Sequence, residues 1–308
     1  MKLSDIASAV RSLEQKAAKH QSILIYGDPR TGKTRFAATV AKIPEVKRVF
    51  FFDTENGSDS LELMARDGSL TSEEAEKIHV IRIVDLPETP IAIDTIIQCL
   101  VVQKPVKLCE AHGRRECPAC KGRTKEDEWQ TFDIKSLTPH DWIIIDTGSQ
   151  VGISAYNFAT KGMNYEEKAG FDEYGMMFRM LSDIFTVIQA APYCNYIVTA
   201  HQLVFDKKDT EKTAASQQVA QGLFSKLYPL IGTRAFSIGA AKYFGTVIYL
   251  EKKMNKHSGG SSSTYKSDVI TGSRVGMRIE DETMLDFRLV FSKLGLTAWK
   301  PPVVEAKK

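Results

Sequence analysis

Short runs of consecutive apolar residues alternate along this chain with segments whose apolar residues recur every three or four positions. The runs are 22–26, 48–53, 79–84, 142–146 and 195–200. They are strand-sized and apolar at nearly every position, the pattern of strands buried on both faces. The segments near 32–41 and 91–102, and stretches between 146 and 195, carry helical spacing. This alternation predicts an α/β fold whose central, mostly parallel sheet is covered by helices on both faces. Ahead of the first strand, Ser4 as a cap and Ile6, Val10 and Leu13 at helical spacing predict an amphipathic helix over 4–19. Past about residue 240 the pattern changes. The segments 243–250 and 263–270 predict two strands around a Gly/Ser-rich tip at 257–262, a hairpin appended to the core. The expected division is an N-terminal helix over 1–20, a core over 21–250 with an insertion at 104–125, hairpin and edge strands over 251–300, and a loose tail over 301–308.

Composition narrows the class. The chain has 308 residues, 43% hydrophobic and 26% charged, which excludes disordered and collagen-like chains. No apolar run approaches the roughly 18 residues of a membrane span, and the start Met1-Lys2-Leu3-Ser4-Asp5 has no apolar core of a secretory signal. The net charge of +3 permits nucleic-acid binding without arguing for it. Five cysteines in such a chain do not form a disulfide framework, and three of them crowd between 109 and 120.

The strongest chemical signal follows the first strand. Gly27-Asp28-Pro29-Arg30-Thr31-Gly32-Lys33-Thr34 satisfies G-x-x-x-x-G-K-[ST] between an apolar strand and a helix. Backbone N–H groups in such a loop turn inward around a β-phosphate, and the helix N-terminus adds partial positive charge. Lys33 is expected to reach the β/γ-phosphates of ATP and the Thr34 hydroxyl to ligate Mg²⁺; the candidate cradle runs through Arg35. The strand 142–146 ends in Asp146, the expected second Mg²⁺ residue, whereas Asp141 before it is expected to be an ordinary solvated side chain. The residue after Asp146 is Thr147, so a water-activating base must come from elsewhere. Glu55, in Asp53-Thr54-Glu55 at the end of the next strand, is the candidate general base. Thr199-Ala200-His201-Gln202 ends a further strand: Gln202 is the candidate γ-phosphate contact, and His201 is expected to be structural.

Together these elements resemble the RecA-type recombinases over roughly residues 20–250, and most of all the phage-encoded RecA-like annealing ATPases of the Sak-four group. The resemblance implies a RecA-like P-loop ATPase, DNA-stimulated, that binds single-stranded DNA and promotes annealing or recombination. It implies a homo-oligomeric ring or filament, a single-stranded-DNA-binding protein as a partner, and action in the cytoplasm, that of a bacterial host if phage-encoded. It places DNA contacts in two mobile loops, 148–175 with Tyr156, Phe158, Lys161 and Tyr165, and 203–225 with Phe205, Lys207, Lys208 and Lys212. It also implies a basic residue donated by a neighbouring subunit. Arg274 in Gly272-Ser273-Arg274-Val275-Gly276 is that candidate, with Lys252, Lys253 and Lys266 behind it.

One motif lies outside the resemblance. Cys109, His112, Cys117 and Cys120 give C-x2-H-x4-C-x2-C, whose two-residue spacings suit a structural Zn²⁺ knuckle. The surrounding stretch 104–125 holds seven basic residues against two acidic ones, a further candidate contact to DNA or a partner. Cys99 and Cys194 are expected in the core. Two other readings stay open: a ring-shaped helicase or translocase motor, and a nucleotide-switched interaction protein whose insertion recruits a partner.

Overall fold

The computed structural model describes residues 20–86, 89–109, 129–163, 166–203, 227–253, 256–260, 272–273, 286–293, 297–298 and 300. The helix expected over 4–19 lies outside them. In chain order the elements are β1 (Ser22–Gly27), α1 (Lys33–Ala38), β2 (Arg48–Asp53), α2 (Asp59–Arg66), α3 (Ser72–Glu76), β3 (Ile78–Arg82), α4 (Ile91–Ile96), β4 (Val106–Cys109), β5 (Trp129–Phe132) and β6 (Asp141–Asp146). They continue with α5 (Gly148–Ala159), α6 (Phe171–Ala190), β7 (Asn195–Leu203), β8 (Tyr228–Leu230), α7 (Arg234–Gly239), β9 (Thr246–Lys253), β10 (Lys256–Gly260), β11 (Gly272–Ser273) and α8 (Phe287–Lys293). The expected helix at 91–102 is α-helical only to Ile96 and widens into a π-helical turn at Ile97–Val102.

Six strands are mutually parallel, in the order β9-β1-β7-β6-β2-β3. The strand after α1 is therefore not β1's neighbour: β7 and β6 are inserted between them. Antiparallel strands β10 and β11 pair with β9, and β8 pairs with the C-terminal end of β7. The expected hairpin tip is corrected in part: His257–Gly260, expected within it, lie in β10, which pairs with β9, and β9 begins at Thr246. Tyr243 instead closes a short 3-10 turn and is buried. The expected second strand at 263–270 lies outside the described residues.

Successive residues on the inner strands bury opposite faces, so the sheet has two cores. Leu24, Tyr26, Ile143, Ile145, Tyr196, Val198 and Ala200 pack under α4, α5 and α6, with Cys99 and Cys194 also buried there. Ile23, Ile25, Phe51, Trp142, Ile144 and Ile197 pack under α1, α2 and α8. In the second core Phe36 of α1 stacks on Phe287 of α8 at 4.4 Å, and Trp142 meets Phe291 at 5.8 Å between centroids. The Phe287 N–H donates to Thr39 Oγ1 at 3.0 Å.

Asp141 is not solvated, contrary to expectation. It is fully buried at the start of β6, where Arg48 donates to both its oxygens at 3.0 and 2.8 Å and Thr138 adds two donors. Burial alone would raise its pKa, but these donors hold it below the ordinary value. The pair locks β6 beside β2 at the sheet edge remote from the phosphate loop. No helix among the described residues is long and apolar enough to cross a membrane.

Candidate active site

The site is assembled on neighbouring rungs at the C-terminal ends of the parallel strands. Asp53 of β2 lies opposite Asp146 of β6, and Gly27 of β1 lies opposite His201 of β7. Asp53, Asp146, Thr199 and His201 share the alternation phase of the α1 face. Open α/β sheets place their ligands at this edge.

The loop from Gly27 to Gly32 closes around Lys33. Gly27 sits where a Cβ would collide with the Leu250 carbonyl of β9, so no larger residue fits that strand end. Gly32, at φ 90°, turns the chain into α1. Thr31 donates to the Asp28 carbonyl at 2.8 Å. The Lys33 ammonium folds over the loop and donates to the carbonyls of Gly27 at 3.1 Å and Asp28 at 2.7 Å. Burial lowers its pKa to about 8, against the opposing charges of Asp146, Glu55 and Asp28. Asp28, Pro29 and Arg30 form the exposed lip of the loop. Arg35, grouped with the cradle in the sequence, turns away to Asp67 at 2.8 Å and Ser69 at 3.1 Å.

Asp146 is the buried anchor. Its Oδ2 accepts from Thr34 Oγ1 at 2.8 Å, and its Oδ1 from Thr199. Burial raises its pKa to about 6; the Thr199 and Thr34 hydroxyls lower it, while the charges of Asp53 and Glu55 add to the rise. A Cβ at Gly57 would run into Asp146 Oδ2, so the rim over that oxygen is open only because residue 57 is glycine. A threonine hydroxyl on a buried carboxylate, roofed by a glycine, is a donor set that fits Mg²⁺.

The loop after β2 is templated by Asp53. Its carboxylate accepts from the N–H groups of Glu55 at 3.2 Å, Gly57 at 2.8 Å and Ser58 at 3.1 Å. This fixes the turn that carries Glu55 toward the phosphate loop. Glu55 is half-buried, and Thr147 Oγ1 donates to its Oε1 at 3.0 Å. His201 Nε2 lies 3.3 Å from both its oxygens. Burial would raise the Glu55 pKa, but the His201 and Thr147 contacts and the Lys33 charge hold it below the usual range. Thr147 also caps α5, accepting from the Gln150 N–H at 3.2 Å.

The structure thus brings Lys33, Thr34, Asp146 and Glu55 together. Gln202 belongs to the opposite alternation phase of β7, and its Oε1 accepts from Tyr249 OH at 3.1 Å. His201, expected to be structural, is the residue of that strand end that reaches Glu55. Asp53, Thr147, Thr199 and Gly57 were also missed as site residues. Counting two residues back from His201 would have found Thr199, because period-two alternation puts them on one face.

Other expected site residues fall elsewhere. The loop expected at 148–175 is largely helix: Tyr156 and Phe158 lie exposed on α5, Lys161 just follows it, and Tyr165 lies outside the described residues. Of 203–225 only Leu203 is described. Arg274, Lys266, His112, Cys117 and Cys120 lie outside as well. Cys109 ends β4, buried and opposite Trp129 of β5. Among the described residues no cluster of three or more His, Cys, Asp or Glu could hold a metal ion.

A phosphate loop, Thr34 bonded to the buried Asp146, and β7 inserted between β1 and β6 define a RecA-like P-loop ATPase. The chain belongs to the AAA_24 family, an AAA domain, whose model matches residues 19–262. No curated protein matches it. Among solved structures, the RadB recombinase aligns at 15% identity over 77% of this chain and 78% of its own, with a TM-score of 0.34. An ATPase from the type III secretion system of pathogenic bacteria aligns at 11% identity over 83% of this chain, with a TM-score of 0.40; this chain spans 57% of its length. EscN from the type III secretion system of enteropathogenic E. coli aligns at 12% identity over 83% of this chain and 48% of its own, with a TM-score of 0.39.

Proposed function

We propose that this protein hydrolyses ATP at the Lys33–Asp146–Glu55 site and couples the bound nucleotide to single-stranded DNA, in annealing or recombination. The observation that carries the ATPase reading is the convergence of Glu55 on the Lys33, Thr34 and Asp146 group from a different strand. Lys33 would exchange its two loop carbonyls for the β/γ-phosphates. Thr34 and Asp146 would hold Mg²⁺, which when bound neutralises charge building on the phosphoryl oxygens. Glu55, ionised, would accept the proton of the attacking water.

The DNA reading is supported by exposed rings beside a lysine. Tyr156 and Phe158 of α5, Phe171 and Tyr174 of α6 and Lys161 follow β6 in the chain; Phe171 is 98% exposed, and Tyr156 lies 5.9 Å from Tyr174. Such faces suit base stacking with phosphate contact. The same reading assigns Arg274 to a neighbouring subunit's site in a ring or filament, and makes Gln202 the candidate link between nucleotide and DNA. The same reading keeps zinc on Cys109, His112, Cys117 and Cys120 as a proposal, with Cys109 at the end of β4, which pairs with β5.

Fluorescence anisotropy with a labelled single strand tests the reading. Binding is expected to tighten about 5–150-fold with ATP and Mg²⁺, the usual range of allosteric coupling. No DNA binding in either state would favour the nucleotide-switched interaction protein. Directional unwinding of a duplex would favour the helicase.

A further inference from the structure

We infer that His201 is a positioning residue that aims the Glu55 carboxylate, an inference that rests on Glu55 being the general base. Among the described residues the imidazole Nδ1 is buried with no hydrogen-bond partner, while Nε2 faces both Glu55 oxygens at 3.3 Å. A neutral ring in that setting keeps its proton on Nε2 and donates it to the carboxylate. With Thr147 donating to Oε1 at 3.0 Å, Glu55 receives a donor from each of two separate elements.

The imidazole is itself held at its root. The His201 N–H donates to Ser149 Oγ at 2.8 Å, and the Ser149 hydroxyl donates to the Leu230 carbonyl at 2.6 Å, where β8 pairs with β7. The first turn of α5 and the short antiparallel strand β8 therefore fix the backbone from which the ring reaches Glu55. A glutamate side chain has three rotatable bonds, and a base must be aimed at its water to be effective. Two fixed donors remove that freedom before the reaction begins.

The test is single-turnover ATP hydrolysis with Mg²⁺ on the full chain, with ATP affinity and thermal melting measured in parallel. His201→Ala is expected to lower kcat about 10- to 10²-fold, the scale on which misplacing a reacting group acts. KM and ATP affinity should stay within about twofold. His201→Leu, which keeps bulk but not the donor, should fall equally, and His201→Gln, which can donate from its amide, should recover most of the rate. The double variant Glu55→Gln with His201→Ala should be no slower than Glu55→Gln alone, because the imidazole acts only through the carboxylate. A slow Glu55→Gln beside an unimpaired or faster His201→Ala overturns the inference alone. So does a double variant slower by the full His201 factor, or a change in KM without one in kcat. Wild-type turnover by Glu55→Gln overturns the base assignment and the inference with it.

Discussion

At the residue scale the site depends on a few groups held in unusual states. Lys33→Ala removes the only ammonium closing the described loop, and turnover should vanish with ATP affinity. Glu55→Gln should keep ATP binding while hydrolysis falls about 10²-fold or more, as for other lost general bases; a coupled-enzyme assay beside nucleotide titration separates the two. The pH dependence follows from the free-protein values. A proton on Asp146, pKa about 6, competes with Mg²⁺, so binding should strengthen as pH rises through that value. Lys33, pKa about 8, loses its charge above that, so binding should weaken again. Titrating MgATP binding across pH should give a bell with its maximum between these two values. Gly57→Ala is a steric test of the roof over Asp146: metal-dependent binding should fall at least tenfold while the melting temperature moves little, since the added methyl meets the carboxylate rather than the core.

At the element scale, α8 lies beyond the segment that defines the family, yet it closes the core beneath α1. Phe287 is fully buried against Phe36, so Phe287→Ala should cost about 3–5 kcal/mol in urea unfolding, the usual range for deleting a buried phenyl ring. Asp286 gathers the charges at that seam, accepting from Arg288 at 2.9 Å and lying 3.7 Å from Lys42. The doubly buried strands and the phosphate loop were legible because wholly apolar runs and G-x-x-x-x-G-K-T are each compatible with very few local structures. Asp146 was legible as a lone carboxylate ending such a run. The partnership of Glu55 with His201 was not, because it joins residues 146 positions apart, one on β7 and the other in the loop after β2, strands that are not neighbours. The burial of Asp141 was hidden for a similar reason: its partner Arg48 comes from the strand lying beside it only in space. The expected hairpin tip was misplaced because its Gly and Ser residues mimic a turn while the backbone still pairs with β9.

At the scale of the whole molecule, the predictions concern parts that must work together. Elemental analysis should find one zinc per chain, lost in Cys117→Ser with ATP binding largely kept, because the insertion is rooted on β4 and β5, a two-stranded sheet separate from the one carrying the site. Metal-free protein with native stability would count against the knuckle. If Arg274 serves a neighbour's site, Arg274→Ala and Glu55→Gln chains should each be slow alone and partly recover when mixed and co-assembled. Failure to recover despite co-assembly would remove Arg274 from that role.

The stacking of Phe287 on Phe36 also bears on how the molecule comes into being. A ribosome delivers the phosphate loop more than 250 residues before α8. At about 5–20 residues per second, that is a delay on the order of tens of seconds. Throughout it, the nascent chain holds a nucleotide loop whose supporting helix lacks its aromatic floor. The birth of a competent ATPase is therefore gated by the synthesis of α8, and a ribosome stalled before it leaves an incomplete domain without the floor beneath its nucleotide loop.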